Sequence, residues 1–216
     1  MYSVMLQLRG EKVVIVGGGR IAERKTSALL DAGADGVVLV SPVLTPRLQA
    51  FANEGVIQVL ARSYQAEDAR GARLLFAATD DVLLNQAAAE DGRRAGAWVN
   101  IADDAAGSDF ASPAVVRRGD LLLAVSASGA SPALAARIKG ELEQAYGDEY
   151  EAAVQRLRRL REWVKKAVED QHERHELLRL AAAEAPRVYE GDEDMDAWLE
   201  RLQKLITEGL HNGNGK

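Results

Sequence analysis

An α/β fold built on a doubly wound parallel sheet is what this sequence predicts, and three observations carry the expectation. Short apolar runs alternate with helical patterns through the first hundred residues. The runs are apolar throughout, as strands covered on both faces are. The first of them, Val13-Val14-Ile15-Val16, empties directly into Gly17-Gly18-Gly19-Arg20-Ile21-Ala22, a G-x-G-x-x-A turn at the head of a helix.

The elements follow in order. The first helical pattern runs from Ile21 through Leu30 and stops at Ala32-Gly33, and Val37–Val40 completes a βαβ unit. Thr45-Pro46 reads as a cap with proline at the first helical position, opening a short helix that stops near Gly55. Val56–Leu60 is a third strand, and Leu74–Ala78 a fourth that ends in Thr79-Asp80-Asp81. An Ala- and Leu-rich helix follows to about Ala95, with Asp80 as its expected N-cap, and Ala97–Ile101 is the fifth strand.

Parallel winding ends after Pro113. Two runs, 114–118 and 121–126, flank Gly119-Asp120 and predict a hairpin. Ser131-Pro132 starts a helix to about Tyr146-Gly147. From Tyr150 to Ala185 the pattern is helical, with Ala153, Leu157, Leu160, Trp163, Val164 and Val168 on its apolar face, until Pro186 breaks it. A last amphipathic segment uses Met195, Trp198, Leu199, Leu202, Leu205 and Ile206, and a polar tail follows. The expected organisation is therefore a sheet domain over 1–112, a hairpin and helix region over 113–147, a helical domain over 148–209 and a tail over 210–216.

Composition narrows the function classes. The chain of 216 residues is 47% hydrophobic and 28% charged, enough for one good core and a smaller second unit. With no cysteine, disulfides, thiolate metal ligands and a Cys nucleophile are excluded together. A net charge of −6 argues against general nucleic-acid binding. No apolar run approaches a membrane span, and the first residues lack an export signal, so the expected location is the cytoplasm.

The glycine turn reads as a site for a dinucleotide pyrophosphate. Gly17 allows the tight turn, Gly19 lets bare backbone approach the phosphates, and the small Ala22 lets helix and strand pack closely. Helix N–H groups and the helix dipole favour the negative charge. Where such sites usually carry an acid for the adenosine ribose, this chain has Ser41-Pro42, and no adjacent Arg offers itself to a 2′-phosphate; the balance favours NAD over NADP. Ligands of doubly wound sheets sit beyond the carboxyl ends of the strands, where the glycine turn, the Thr79-Asp80 loop and the Asn100-to-Asp104 loop should converge.

Several ordered motifs now come together: Q-L-R-G-x-K into V-I-V-G-G-G-x-x-A-x-R-K, then A-A-T-D-D, V-N-x-x-D-D with D-F-x-x-P, R-R-G-x-L and A-S-P-x-L-A. In this order they resemble the precorrin-2 dehydrogenase family, which includes the N-terminal module of siroheme synthase. The resemblance covers roughly residues 1 to 145 closely. It implies a Rossmann-like sheet domain followed by a dimerisation hairpin and helix and a C-terminal α-helical domain, working as a homodimer. It also implies NAD-dependent oxidation of precorrin-2 to sirohydrochlorin, in some members with insertion of ferrous iron. Carried over by position, Arg20, Ile21, Ser41 and Pro42 lie along the NAD, Thr79 and Asn100 line its nicotinamide end, and Asp103 is the catalytic aspartate. Asp104 beside it is chemically identical. One departure stands at Ala127-Ser128, where relatives often have Ser or Thr and then Gly, so a hydroxyl role at 127 does not transfer.

A tetrapyrrole with several carboxylates needs cations, and Arg117, Arg118 and Arg137, with Lys139, are the nearest candidates; Arg156, Arg158, Arg159, Arg161, Lys165 and Lys166 form a second group. Singly, such residues are as often solvated surface charges. His172 and His175 lie three apart in a stretch charged on every side, which fits a solvated helix face, so no metal site is expected. A different class of function, an NAD-sensing regulatory module without catalysis, would use the same sheet domain and have no need of Asp103. Short-chain dehydrogenase chemistry lacks its Tyr-x-x-x-Lys pair here: Tyr146 is followed four places on by Tyr150, and Tyr150 by Val154.

Overall fold

The computed structural model describes residues 1–184 and 197–205. It divides into two units, Met1–Ser112 and Pro113–Lys216.

In the first unit five parallel strands, β1 (Lys12–Val16), β2 (Gly36–Val40), β3 (Gln58–Leu60), β4 (Ala72–Ala77) and β5 (Trp98–Ile101), lie in the order β3-β2-β1-β4-β5. The chain thus winds outward from β1 in both directions, and the reversal falls between β1 and β4. Register is continuous at the functional end, with Val16 beside Val40 on one side and beside Ala77 on the other. Side chains of β1 alternate between two cores: Val13 and Ile15 join Leu29, Leu39, Leu48 and Phe76 on one face, while Val14 and Val16 join Leu75, Ala88, Ala89 and Val99 on the other. That double burial is why the strand reads as an unbroken apolar run.

Helices α1 (Arg20–Asp31), α2 (Pro46–Asn53) and α3 (Val82–Arg94) make the crossovers. The Thr45 side chain accepts from the Leu48 amide and Pro46 stands at the head of α2, as the sequence predicts. At α3 the cap is Asp81, whose Oδ1 accepts from the Leu83 and Leu84 amides, and Asp80 is exposed; the expected cap was one residue early. A 3-10 turn, Ala66–Ala69, was not legible as an element. It is held by Asp68, which accepts from the Gln65 amide and from the Arg62 guanidinium.

In the second unit β6 (Ala114–Arg118) and β7 (Leu121–Val125) form the antiparallel hairpin, with Gly119 at φ 53° in the two-residue loop. Helix α4 (Pro132–Ala145) is capped by Ser131 and has no buried residue. The long helical stretch expected from Tyr150 to Ala185 is two helices, α5 (Glu149–Ala167) and α6 (Gln171–Glu184). The break has a local cause: Val168 turns extended, and Asp170 Oδ1 receives the Glu173 amide at 2.7 Å, capping α6 afresh. Leu160, Val164, Leu177 and Ala181 pack with Trp198, Leu199 and Leu202 of the helical residues 197–205. Pro186, Met195, Ile206 and the polar tail lie outside the described residues. Among the described residues no helix is long and apolar enough to cross a membrane.

Candidate functional site

The glycine turn is shaped by close backbone approaches. Gly17 sits at φ 120°, and a Cβ there would lie 2.4 Å from the Ala78 carbonyl oxygen, so the turn after β1 and the Thr79 loop after β4 touch only because Gly17 has no side chain. Gly18 faces the loop after β2 in the same way: its Cβ would lie 1.9 Å from the Val43 carbonyl oxygen and 2.7 Å from Ser41 Oγ. The sequence reading assigned no role to this middle glycine. Gly19 differs, since a Cβ there would meet nothing within 4 Å, and its backbone borders open space.

Helix α1 begins there without a side-chain cap. Its first intrahelical bond runs from the Glu23 amide to the Gly19 carbonyl at 3.0 Å, which leaves the amides of Arg20, Ile21 and Ala22 without helical acceptors. Ala22 is fully buried, so helix and sheet pack closely, while Arg20 is exposed at the rim. An open glycine edge and an uncapped helix start form a cradle that fits the pyrophosphate of a nicotinamide dinucleotide.

On the β2 side Ser41 is buried and Pro42 exposed. The Ser41 hydroxyl donates to the Val43 carbonyl at 2.8 Å, and the Thr45 amide donates to the Gly18 carbonyl at 3.0 Å. The Ser41 hydroxyl proton therefore closes the protein's own loop beside the glycine turn.

On the β4 side Thr79 is held by a residue the sequence reading missed. Buried Asn85, on the first turn of α3, accepts from the Thr79 amide at 3.1 Å and from its hydroxyl at 2.7 Å, and donates to its carbonyl at 3.0 Å. A polar residue in the first turn after a strand-end loop was the available signal.

At the end of β5 Asn100 is buried and its Nδ2 donates to the Phe110 carbonyl at 2.9 Å, leaving Oδ1 as an acceptor. The segment after β5 folds back along this edge strand: Asp109 receives the Val99 amide at 2.9 Å and Ser108 Oγ the Ile101 amide at 2.9 Å. Within the returning loop the two adjacent acids part company. Asp104 Oδ1 accepts from the Gly107 amide at 2.8 Å. Asp103 stands exposed at φ 62°, a left-handed backbone that few side chains adopt, and its carboxylate has no hydrogen bond or ion pair with the described residues. Gly17, Gly19, Thr79 and Asp103 thus belong to loops at the carboxyl edge of one parallel sheet, and Asn100 to the end of β5 itself.

The arginines of the second unit are not brought together. Adjacent residues of a strand face opposite sides, so Arg117 and Arg118 point apart on β6. Arg118 donates to the Arg117 and Glu143 carbonyls at 3.0 and 3.2 Å, with its Nε 3.3 Å from Asp148 Oδ1. Arg117 is exposed, and Arg137 pairs loosely with Glu141 at 3.4 Å on the exposed side of α4. Of the second cationic group, Arg158 pairs with Asp120 at 2.6 Å and Arg156 lies 4.3 Å from the centre of the Trp198 ring. His172 and His175 are exposed on α6.

Comparison with known proteins agrees with this geometry. An NAD(P)-binding family model matches residues 4–114, and a model described as sirohaem biosynthesis protein central matches residues 118–145. Siroheme synthase of Chromobacterium violaceum is 40% identical over 142 residues, covering 66% of this chain and 30% of that protein. Siroheme synthase of Pseudomonas putida strain F1 is 44% identical over 147 residues, with 66% and 31% covered. The chain therefore spans about a third of the length of these curated relatives. Among solved structures, SirC, a precorrin-2 dehydrogenase, superposes with a TM-score of 0.75 at 29% identity, covering 94% of this chain and 100% of that one. With the nucleotide cradle, the central segment and the whole-chain superposition in agreement, the chain belongs to the NAD(P)-binding family of precorrin-2 dehydrogenases and siroheme synthase N-terminal modules.

Proposed function

We propose that the protein is an NAD-dependent precorrin-2 dehydrogenase that forms sirohydrochlorin. The observation that carries this reading is the free carboxylate of Asp103, on the same sheet edge as a cradle built for a dinucleotide. The chemistry a bound nicotinamide supplies is acceptance of a hydride from the reduced macrocycle. In balance, one hydride leaves with the cofactor and one proton leaves a neighbouring position of the ring.

The residues divide the remaining work. Gly17, Gly19 and the amides of Arg20, Ile21 and Ala22 hold the pyrophosphate, and Ser41 and Pro42 border the adenosine half. Thr79, fixed by Asn85, and the Asn100 Oδ1 receive the nicotinamide end. Asp103 takes the departing proton or holds the pyrrole N–H groups, a role open to it because no donor among the described residues occupies its oxygens. Asp104, already bonded to Gly107, serves the loop. With no acid and no free Arg at the end of β2, we assign NAD as the cofactor. Arg62, at the end of β3, is engaged by Asp68.

We assign the ring carboxylates to exposed Arg117 and Arg137, and give Arg118 the structural role its three contacts describe. A helix with no buried residue, α4, is the dimer contact of a homodimer. Such a reaction runs where NAD is supplied, in the cytoplasm. Insertion of ferrous iron into the product draws on the same carboxylate, since pyrrole nitrogens must lose protons to take a metal. The test is incubation with NAD and anaerobically generated precorrin-2, followed through the tetrapyrrole absorption, with Asp103→Asn as the control.

A further inference from the structure

Lys25 is a half-buried cation that the chemistry above leaves unused. On the second turn of α1, its Nζ donates to Ser112 Oγ at 2.9 Å and lies 5.2 Å from the centre of the Phe76 ring. Phe76, on β4, meets Phe110 edge to face, with centroids 5.4 Å apart and planes at 81°. The Phe110 carbonyl in turn receives the Asn100 carboxamide nitrogen. A line of contacts thus runs from the helix that starts at the glycine turn, across β4, to the segment that fixes the carboxamide at the end of β5.

Packing alone does not explain a cation there. Burial first, and then neighbouring Arg24, brings the ammonium from its ordinary 10.5 down to about 8, so the charged form is disfavoured in the fold. An apolar side chain of similar length would fill the same space without that penalty. What the ammonium adds is direction: a hydrogen bond to one hydroxyl and attraction to one aromatic face.

We propose that Lys25 is a positioning residue, which anchors the Phe110–Ser112 segment to α1 so that the Phe110 carbonyl holds the Asn100 nitrogen and leaves Oδ1 for the cofactor. The last step rests on the dinucleotide reading; the anchoring does not.

Three variants of the full chain, Lys25→Met, Lys25→Arg and Ser112→Ala, separate the two. Hydrogen exchange of residues 110–112 and of the Asn100 side-chain amide is read without cofactor, and NAD affinity and thermal midpoint are read beside it. Lys25→Met and Ser112→Ala are expected to speed exchange there roughly tenfold and to weaken NAD binding several-fold, with an unchanged or higher midpoint for Lys25→Met. Lys25→Arg, which keeps a cation and a donor, restores most of both. Unchanged exchange at 110–112 and Asn100 in Lys25→Met overturns the proposal, as does a lowered midpoint with faster exchange throughout the sheet, the signature of a merely structural lysine. If wild-type protein does not bind NAD, the dinucleotide reading fails, and the exchange data still decide whether Lys25 anchors the segment.

Discussion

Asp104 closes its own loop through the Gly107 amide at 2.8 Å, while Asp103 beside it sits at φ 62° with its carboxylate free of partners among the described residues. Adjacent acids of identical chemistry are thereby separated into a structural and an available one. Asp103→Asn should largely abolish turnover and leave NAD affinity and thermal stability nearly unchanged. Asp104→Ala should instead lower stability by about 1 kcal/mol, the worth of one lost hydrogen bond. Steady-state kinetics with denaturant melts on both variants checks the division.

The three glycines of the turn make three different demands, and alanine distinguishes two of them. Gly18→Ala drives a methyl into the Val43 carbonyl and should destabilise the fold by about 1–3 kcal/mol, as overpacking does. Gly19→Ala has open space for its methyl and should fold normally. Its cost falls on the ligand: NAD affinity should drop roughly tenfold, about 1.4 kcal/mol. Calorimetric titration and thermal melts on the same two proteins test this.

Asn85, on the first turn of α3, holds Thr79 by amide, hydroxyl and carbonyl. Asn85→Ala leaves the Thr79 amide and carbonyl unpaired in a part-buried site, while the hydroxyl keeps the Asp81 carbonyl at 3.1 Å, and should cost about 2 kcal/mol. NAD affinity should fall with it, whereas Asn85→Asp, which keeps both acceptor bonds, should retain more of each. Urea melts with parallel NAD titrations distinguish the two variants.

Lys25 gives the stability a pH dependence of known sign. The unfolded chain carries this amine at its ordinary 10.5 and the folded chain at about 8, so between those values the unfolded state binds more protons. The contribution of Lys25 to stability therefore rises with pH from about 8 towards 10.5, and the penalty of the buried charge is complete below about 8. Lys25→Met should be the more stable protein at pH 7, with the gap to wild type closing by pH 10. Urea melts of the two proteins across that range read the difference directly.

Much of the sheet domain and of the start of the second unit was legible because their signals are local. The apolar run into Gly17, the Thr45-Pro46 and Ser131-Pro132 caps and the Gly119 hairpin are each specified by a few neighbouring residues. What escaped was set by partners distant in sequence or by choices between near-equivalent neighbours. Gly18 is demanded by Val43, Lys25 finds Ser112 across 87 positions, and the edge of β5 is covered by Asp109 and Ser108. The cap at Asp81 rather than Asp80, and the fresh helix start at Asp170, turn on single residues within acidic stretches that offer several candidates. The opposed faces of Arg117 and Arg118 followed from strand alternation and were available in the sequence.

The most direct test of the central claim is anaerobic incubation of the folded protein with NAD and precorrin-2, with tetrapyrrole and NADH absorbance followed together. The expected result is sirohydrochlorin and NADH appearing in equal amounts with wild type and neither with Asp103→Asn. NAD binding without any change in the tetrapyrrole spectrum, or equal turnover in the variant, would contradict it.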